Sequence, residues 1–271
     1  PIQDREQVAI RSALGRVLAA DCISPINVPG HTNSAMDGYA LAGEDLPTDG
    51  TRSYRVIATA FAGQRVSDVC EAGQCVRIMT GAPMPRGTDT VVMQEQIEKL
   101  GDDRVRLDSR HRSGQNVRQT GEDIAQGSRV FKAGRVLAAA DLGVLASLGF
   151  AELAVRRKPK VAFFSTGDEL RSIGETLAEG EIYDSNRYSL FAMLEESGVD
   201  VVDLGVIKDN RKALADGFRR ASAVADVVIT SGGVSVGEAD YTREILEDMG
   251  KVSFWTIAMK PGRPLTFGHL G

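Results

Sequence analysis

DVVITSGGVSVGEADYTREILEDM, residues 226–249, decides the fold. An apolar run at 226–230, too short for a helix, leads into a turn carrying Gly232, Gly233 and Gly237. From Asp240 to Met249 the apolar residues return at helical spacing, so the segment reads as strand, glycine turn, helix. Working outward, the same alternation continues, with strands expected at 161–164, 199–206 and 252–257 and helices at 186–197 and 211–223. Strands alternating with helices imply a doubly wound parallel sheet covered on both faces. Ligands of such sheets bind beyond the carboxyl ends of the strands. The oddest polar stretches each follow an expected strand: STGDEL (165–170), KDN (208–210), TSGGVSVGEAD (230–240) and MKPGRP (259–264). One edge of one sheet should therefore carry all four.

Upstream of the basic hinge RRKPK (156–160) the texture changes, and its proline marks a boundary. Residues 4–20 place Val8, Leu14, Val17 and Leu18 at helical spacing, with Asp4 as the cap of an expected helix. Short Val-, Ile-, Thr- and Tyr-rich segments at 54–60, 75–79, 90–95 and 104–107 sit between Gly, Pro and Asp clusters and read as a β-rich unit. A helix at 138–148 and a strand at 152–155 complete the pattern. The division expected is an elongated helical linker domain (1–26 with 128–158), a β-rich domain (27–127) and an α/β domain (159–271).

Composition narrows the function classes. With 271 residues, 42% hydrophobic and 25% charged, the chain is globular, and it can bury cores without a metal or disulfide staple. Cys22, Cys70 and Cys75 form no CxxC pair, so reduced, inert thiols are expected. No apolar run reaches the length of a membrane span, and the N-terminus lacks a secretory layout, which makes the cytoplasm the expected compartment. The missing initiator Met suggests a trimmed N-terminus. Residues 1–158 balance at +1 whereas 159–271 carry −6. An acidic second part argues against a nucleic-acid track, and a phosphorylated ligand there calls for a divalent cation.

The loops define the chemistry. The glycines at 232, 233 and 237 let backbone N–H groups face an anion near the start of a helix, although a strand-to-helix turn needs glycine regardless. Neither GxxxxGK[ST] nor GxGxxG occurs, so Walker-type hydrolases and dinucleotide oxidoreductases lose support. Asp168, Glu169, Asp209 and Asp240 bring carboxylates to the strand ends, hard ligands suited to Mg²⁺ bridging to phosphate, with helix capping as the plain alternative for any one of them. Lys260 and Arg263, stiffened by Pro261 and Pro264, form a fork for a small oxyanion. The three histidines show no ligand spacing. In the β-rich part, NSAMDGYA (33–40), MTGAPMPRGTD (79–89) and TGEDI (120–124) set Asp37, Thr80 and Asp123 in Gly- and Pro-marked loops, as a substrate-facing lip would be. Met36 and Tyr39 read as packing residues.

The combination SAMDGYA, MTGAPMPRGTDTVVMQE, TGEDI, STGDEL, IYDSNR, TSGGVSVGEADYT and KPGRP resembles the molybdopterin molybdenumtransferase family, relatives of the gephyrin E domain, from about residue 4 to the end. That resemblance implies Mg²⁺-assisted insertion of molybdate into adenylylated molybdopterin, with release of AMP. By motif, Asp37, Thr80, Asp123, Asp168, Glu169, Asp209, Asp240 and Lys260 match its functional residues. Ser231, Gly232 and Gly233 would hold the phosphate region of the pterin nucleotide, Arg263 and Pro264 would complete the oxyanion loop, and Asp240 and Glu169 would bind the metal. It further implies a homodimer with a shared site, and other molybdenum cofactor biosynthesis proteins as partners, but neither nucleic acid nor membrane. Two departures stand out: Trp255 is followed by Thr256 where many members carry a basic residue, and the family continues through an LPGNP-type loop into a C-terminal β domain, so the chain reads as truncated. The alternatives are the adenylyltransferase of the same pathway, which resembles 160–250 alone, and a noncatalytic scaffold on the same fold.

Overall fold

The computed structural model describes residues 2–232, 241–256 and 264–270. The chain divides into two compact units, Gln7–Val155 and Arg156–Gly271 with Pro1–Glu6. The first part of the chain runs β1 (Arg5–Ala9), β2 (Cys22–Ile23), β3 (Asn33–Ser34), β4 (Gly38–Leu41), β5 (Thr51–Ala60), β6 (Gln74–Ile78), β7 (Thr90–Met93), β8 (Glu98–Lys99), β9 (Arg104–Asp108), β10 (Val117–Arg118), β11 (Arg129–Phe131), α1 (Ala139–Ser147) and β12 (Glu152–Arg156).

Six of these strands make one sheet in the order β7-β4-β6-β5-β9-β8, in which only β5 and β6 run parallel. Successive side chains of a strand point to opposite faces. Tyr39, Leu41, Tyr54, Cys75, Val92, Val105 and Leu107 accordingly form one buried cluster, and Ala40, Ala60, Val76, Ile78 and Val91 belong to another. Tyr39 packs as expected, whereas Met36 is exposed. Gly38 is required by close approach, since a Cβ there would lie 2.1 Å from the Val92 carbonyl oxygen.

The helix expected over 4–20 does not form. After β1 and a single 3-10 turn, Ile10–Ser12, Gly15 adopts φ +73, a left-handed conformation that stops a helix. Val17 and Leu18 bridge instead to Val136 and Val155. Long-range pairing thus overrides the helical spacing: Ala13 and Leu18 are buried with Leu137, Leu145, Leu153 and Val155, while Leu14 is left 59% exposed. Asp4 caps nothing; its carboxylate pairs with Arg157 at 2.8 Å.

The second unit runs β13 (Lys160–Thr166), β14 (Leu170–Arg171), β15 (Ile182–Tyr183), α2 (Ser185–Glu196), β16 (Asp200–Ile207), α3 (Arg211–Val224), β17 (Val227–Ser231), α4 (Tyr241–Met249), β18 (Gly250–Thr256) and β19 (Pro264–Leu270). The sheet is parallel, in the order β16-β13-β17, so its two later strands, β16 and β17, lie on either side of β13. That reversal of direction is a topological switch point. β13 is apolar throughout its centre because both its faces are covered: Ala162 and Phe164 pack with Leu214, Phe218 and Ile245, and Val161 and Phe163 pack with Leu194. Phe164 meets Phe218 edge to face, centroids 5.2 Å apart. α3 presents Leu214, Gly217, Phe218 and Ala221 inward, a spacing of three and four, and the Asn210 side chain caps it by accepting the Ala213 N–H at 3.0 Å.

One expectation fails here. Among the described residues β18 is not a further parallel strand; it pairs antiparallel with β19, Lys251 opposite His269 and Val252 opposite Gly268. A parallel partner needs a crossover of a dozen or more residues, whereas a short connection permits an antiparallel hairpin. The strand before MKPGRP in sequence is thus one of an antiparallel pair and not of the parallel sheet, and Met259 to Arg263 lie outside the described residues.

Candidate functional site

In the first unit β3, within the first loop motif, is flanked by the 79–89 motif and by β10, while TGEDI bonds to Val28 and Pro29 just upstream of β3. On one side the Gly81 N–H donates to the Ser34 carbonyl at 2.8 Å and the Ser34 N–H to the Ala82 carbonyl at 3.1 Å. On the other, β10 pairs with β3, Val117 opposite Ser34 and Arg118 opposite Asn33, and the Ala35 N–H donates to the Asn116 carbonyl at 2.9 Å. These main-chain bonds bring together segments whose spacing in sequence says nothing about their proximity.

Their polar tips are then fixed. Asp37 Oδ1 accepts both the backbone N–H and the hydroxyl of Thr80, each at 2.8 Å. The N–H bond first, the hydroxyl second and the nearby Arg77 cation hold the Asp37 carboxyl below its ordinary range, against the opposing effect of desolvation. Asp37 is therefore a carboxylate at neutral pH, with Oδ2 outside this pair of bonds. Asp123 has a different setting: Arg118 bridges it and Glu122, the latter at 3.1 Å. Arg77 and Arg118 were not singled out from the sequence. Arg118 lies five residues before Asp123, and the i, i+4 relation with Glu122 was the available signal.

In the second unit, parallel strands put the ends of β13, β16 and β17 at one edge, where a cavity of about 660 Å³ opens. Gly167, Asp168, Arg171, Ser172, Lys208 and Asn210 are among its lining residues. Two of the expected acids meet here, the Asp209 N–H lying 3.4 Å from Asp168 Oδ1. Glu169 folds back over Gly167: a Cβ on that glycine would lie 2.8 and 2.9 Å from the Glu169 carboxylate oxygens. The absent side chain is what makes room for this carboxylate. Ser231 Oγ is 3.0 Å from Ser165 Oγ, and the two residues are register partners on β17 and β13. Gly232 has φ +87, and a Cβ there would sit 2.2 Å from the Thr166 carbonyl oxygen, so strand contact by itself demands this glycine. Gly233, Asp240, Lys260 and Arg263 lie outside the described residues, and of Pro264 only its place at the start of β19 is given. Among the described residues no three His, Cys, Asp or Glu side chains gather as a metal cluster.

The IYDSNR motif builds the wall of this edge. Asp184, 2% exposed, caps α2 by accepting the Arg187 N–H at 3.1 Å. The Arg187 side chain reaches Asp203 of β16 and, at 3.1 Å, Ser172 Oγ beside the cavity. An aspartate just ahead of the helix expected at 186–197 was the signal for the cap.

The family profile described as "MoeA N-terminal region (domain I and II)" matches residues 1–149, and "Probable molybdopterin binding domain" matches 162–271. The chain is 46% identical over 265 residues to a molybdopterin molybdenumtransferase of Haemophilus influenzae, covering 98% of this chain and 65% of that protein. It is 40% identical over 268 residues to the molybdopterin molybdenumtransferase of a Nostoc strain, covering 97% of this chain and 61% of that one. It is also similar to the crystal structure of a molybdopterin biosynthesis MoeA protein from Pyrococcus horikoshii, with a TM-score of 0.83, 33% identity and coverage of 99% and 68%. The chain thus spans a little under two thirds of these curated relatives. Successive profiles along almost its whole length, and the same multidomain α/β architecture in a solved relative, show that this chain belongs to the MoeA family.

Proposed function

We propose that the chain transfers molybdenum to molybdopterin, as its relatives' name states, and that its substrate is adenylylated molybdopterin, with AMP released. The observation that supports this best is a charged cavity at the parallel-sheet switch point of the second unit, together with a polar centre in the first unit, Asp37 and Thr80, built from two loops held by main-chain bonds. Within this reading the turn at Ser231, Gly232 and Gly233 receives the phosphate region of the nucleotide. Lys260 and Arg263 hold the molybdate oxyanion beside the dithiolene sulfurs, with Pro264 stiffening the loop. Asp37 and Thr80 orient substrate through the free carboxylate oxygen, and Asp123, tied by Arg118, shapes the neighbouring loop.

Magnesium is part of the proposal. The Glu169 carboxylate held over Gly167 suits a cation that takes one or two carboxylates and completes its shell with water and phosphate oxygens. Glu169 and Asp240 are assigned as its ligands. Bound there, Mg²⁺ would offset phosphate charge and polarise the anhydride to be cleaved. Asp168 and Asp209 keep the loop ends together, and Lys208 offers a cation at the cavity rim.

The same reading makes the protein a cytoplasmic homodimer with a site shared between subunits, working beside other cofactor-assembly proteins, and treats 1–26 with 128–158, 27–127 and 159–271 as its domains. No helix of the described residues is long and apolar enough to cross a membrane. The deciding experiment is molybdate-dependent AMP release from adenylylated molybdopterin. Release is expected, with Lys260→Ala raising the molybdate requirement more than it weakens nucleotide binding. An adenylyltransferase would instead form pyrophosphate from ATP without molybdate, and a scaffold would do neither. For the shared site, mixed Asp37→Ala and Asp240→Ala chains should regain up to about a quarter of wild-type activity on random two-fold assortment.

A further inference from the structure

Arg171 lines the cavity, yet its guanidinium is turned into the loop behind the acids. Nη1 donates to the carbonyl oxygens of Asp168, at 3.0 Å, and Leu170, at 2.8 Å, while Nη2 pairs with a carboxylate oxygen of Glu181. The other Glu181 oxygen accepts the Ala178 N–H at 2.8 Å, so this carboxylate is itself braced against the turn that carries it. The Arg171 and Glu181 side chains are 34% and 17% exposed, partly shielded from water, which leaves such a pair stronger than one on open surface.

The carbonyl of Asp168 belongs to the peptide that joins Asp168 to Glu169. The next carbonyl, that of Glu169, accepts the Ile182 N–H at 2.9 Å, in the short parallel ladder where Leu170 faces Ile182 and Arg171 faces Tyr183. The peptides before and after Glu169 are therefore both anchored, one by main-chain pairing and one by the Arg171 side chain. With Gly167 leaving room for the carboxylate, this fixes where Glu169 points. Both terminal nitrogens of Arg171 are committed to protein oxygens and its charge is matched by Glu181. It is thus a strut, and Lys208 is the cavity-lining cation with no ion pair among the described residues.

We propose that Arg171, braced by Glu181, is a positioning residue that fixes the peptide between Asp168 and Glu169 so that the Glu169 carboxylate is held ready for a divalent cation. The cation's identity as the partner of that carboxylate rests on the function proposed above; the strut itself does not.

The test titrates Mn²⁺, with ADP present, into the full chain and reads free Mn²⁺ by electron paramagnetic resonance, alongside amide hydrogen exchange at Leu170 and Ile182, whose N–H groups bond to the Gly167 and Glu169 carbonyls. Arg171→Ala is expected to weaken Mn²⁺ binding about tenfold, the scale of losing a group that orients a metal ligand, and to speed exchange at both amides. Glu181→Ala should do less, the double variant no more than Arg171→Ala, and Arg171→Lys should recover part of the loss, one amine being unable to reach both carbonyls and Glu181. Wild-type Mn²⁺ affinity together with unchanged exchange in Arg171→Ala overturns the proposal. So does additivity in the double variant. If the wild-type chain shows no Mn²⁺ binding that Glu169→Gln removes, the magnesium reading falls, and exchange decides the strut: faster in Arg171→Ala supports it, unchanged refutes it.

Discussion

Gly232→Ala separates two reasons for a glycine at the end of β17, a phosphate cradle and the packing of the sheet itself. At φ +87 an L residue incurs about 1–2 kcal/mol of backbone strain. Its Cβ would also stand 2.2 Å from the Thr166 carbonyl oxygen and 3.3 Å from the carbonyl carbon, main-chain atoms of the central strand that cannot rotate aside. Forcing extra volume into packed structure costs about 1–3 kcal/mol. The sum, about 2–5 kcal/mol, is a large share of the 5–15 kcal/mol typical of a domain. With a urea slope near 2 kcal/mol/M, the midpoint of the second unit should fall by about 1–2.5 M. Trp255 is the sole tryptophan and lies in β18, so its fluorescence follows that unit. Gly198→Ala supplies the control: Gly198 has φ +71 and nothing within 4 Å of its absent Cβ, so it isolates the strain. If Gly232→Ala shifts the midpoint no further than Gly198→Ala does, the steric argument is wrong and the glycine is kept for a ligand.

Three further outcomes follow from the first unit. Thr80→Ala should raise the Asp37 pKa only part of the way to its ordinary value, because the backbone N–H, the larger cause, remains; carboxyl carbon chemical shifts followed through an acid titration read it directly. The lowered Asp37 pKa stabilises the unit above pH 3.8 and that contribution is lost as pH falls, so the variant should be less sensitive to acid than the wild type. Burial pushes the Cys70 thiol up to about 11, and Cys75 and Tyr54 up to about 12. Raised values stabilise below the ordinary 9.0 and 10.0 and are lost as pH climbs through the folded ones, so unfolding midpoints should drop above pH 9, and a thiol reagent at pH 8 should label neither cysteine until the unit opens. Tyr54→Phe removes a buried hydroxyl that donates to the Asp45 carbonyl and should cost about 0.5–1.5 kcal/mol in a urea melt, little because Arg52 still serves that carbonyl at 3.2 Å.

The sequence by itself determined whatever is written in local periodicity and steric need. The apolar core of β13, the inward spacing of Leu214, Phe218 and Ala221, the caps at Asp184 and Asn210, and the order of strands and helices after residue 160 are all local. So are the motifs that mark the family. Tertiary structure decided whatever depends on which distant segment supplies a partner. Leu14, Val17 and Leu18 have the spacing of a helix, but Val17 and Leu18 find bridges to Val136 and Val155, and one left-handed glycine ends any helical run. The direction of β18 was open because an apolar strand pairs either way, and only the hairpin with β19 settles it. Asp37 and Thr80, 43 residues apart, become one hydrogen-bonded pair only because β3 lies between the segments that carry Ala82 and Val117. Arg171 read from sequence is one more surface cation; what makes it a strut is the fold of the loop that sets Glu181 against it, since a side chain's role follows from its contacts and spacing alone does not specify them.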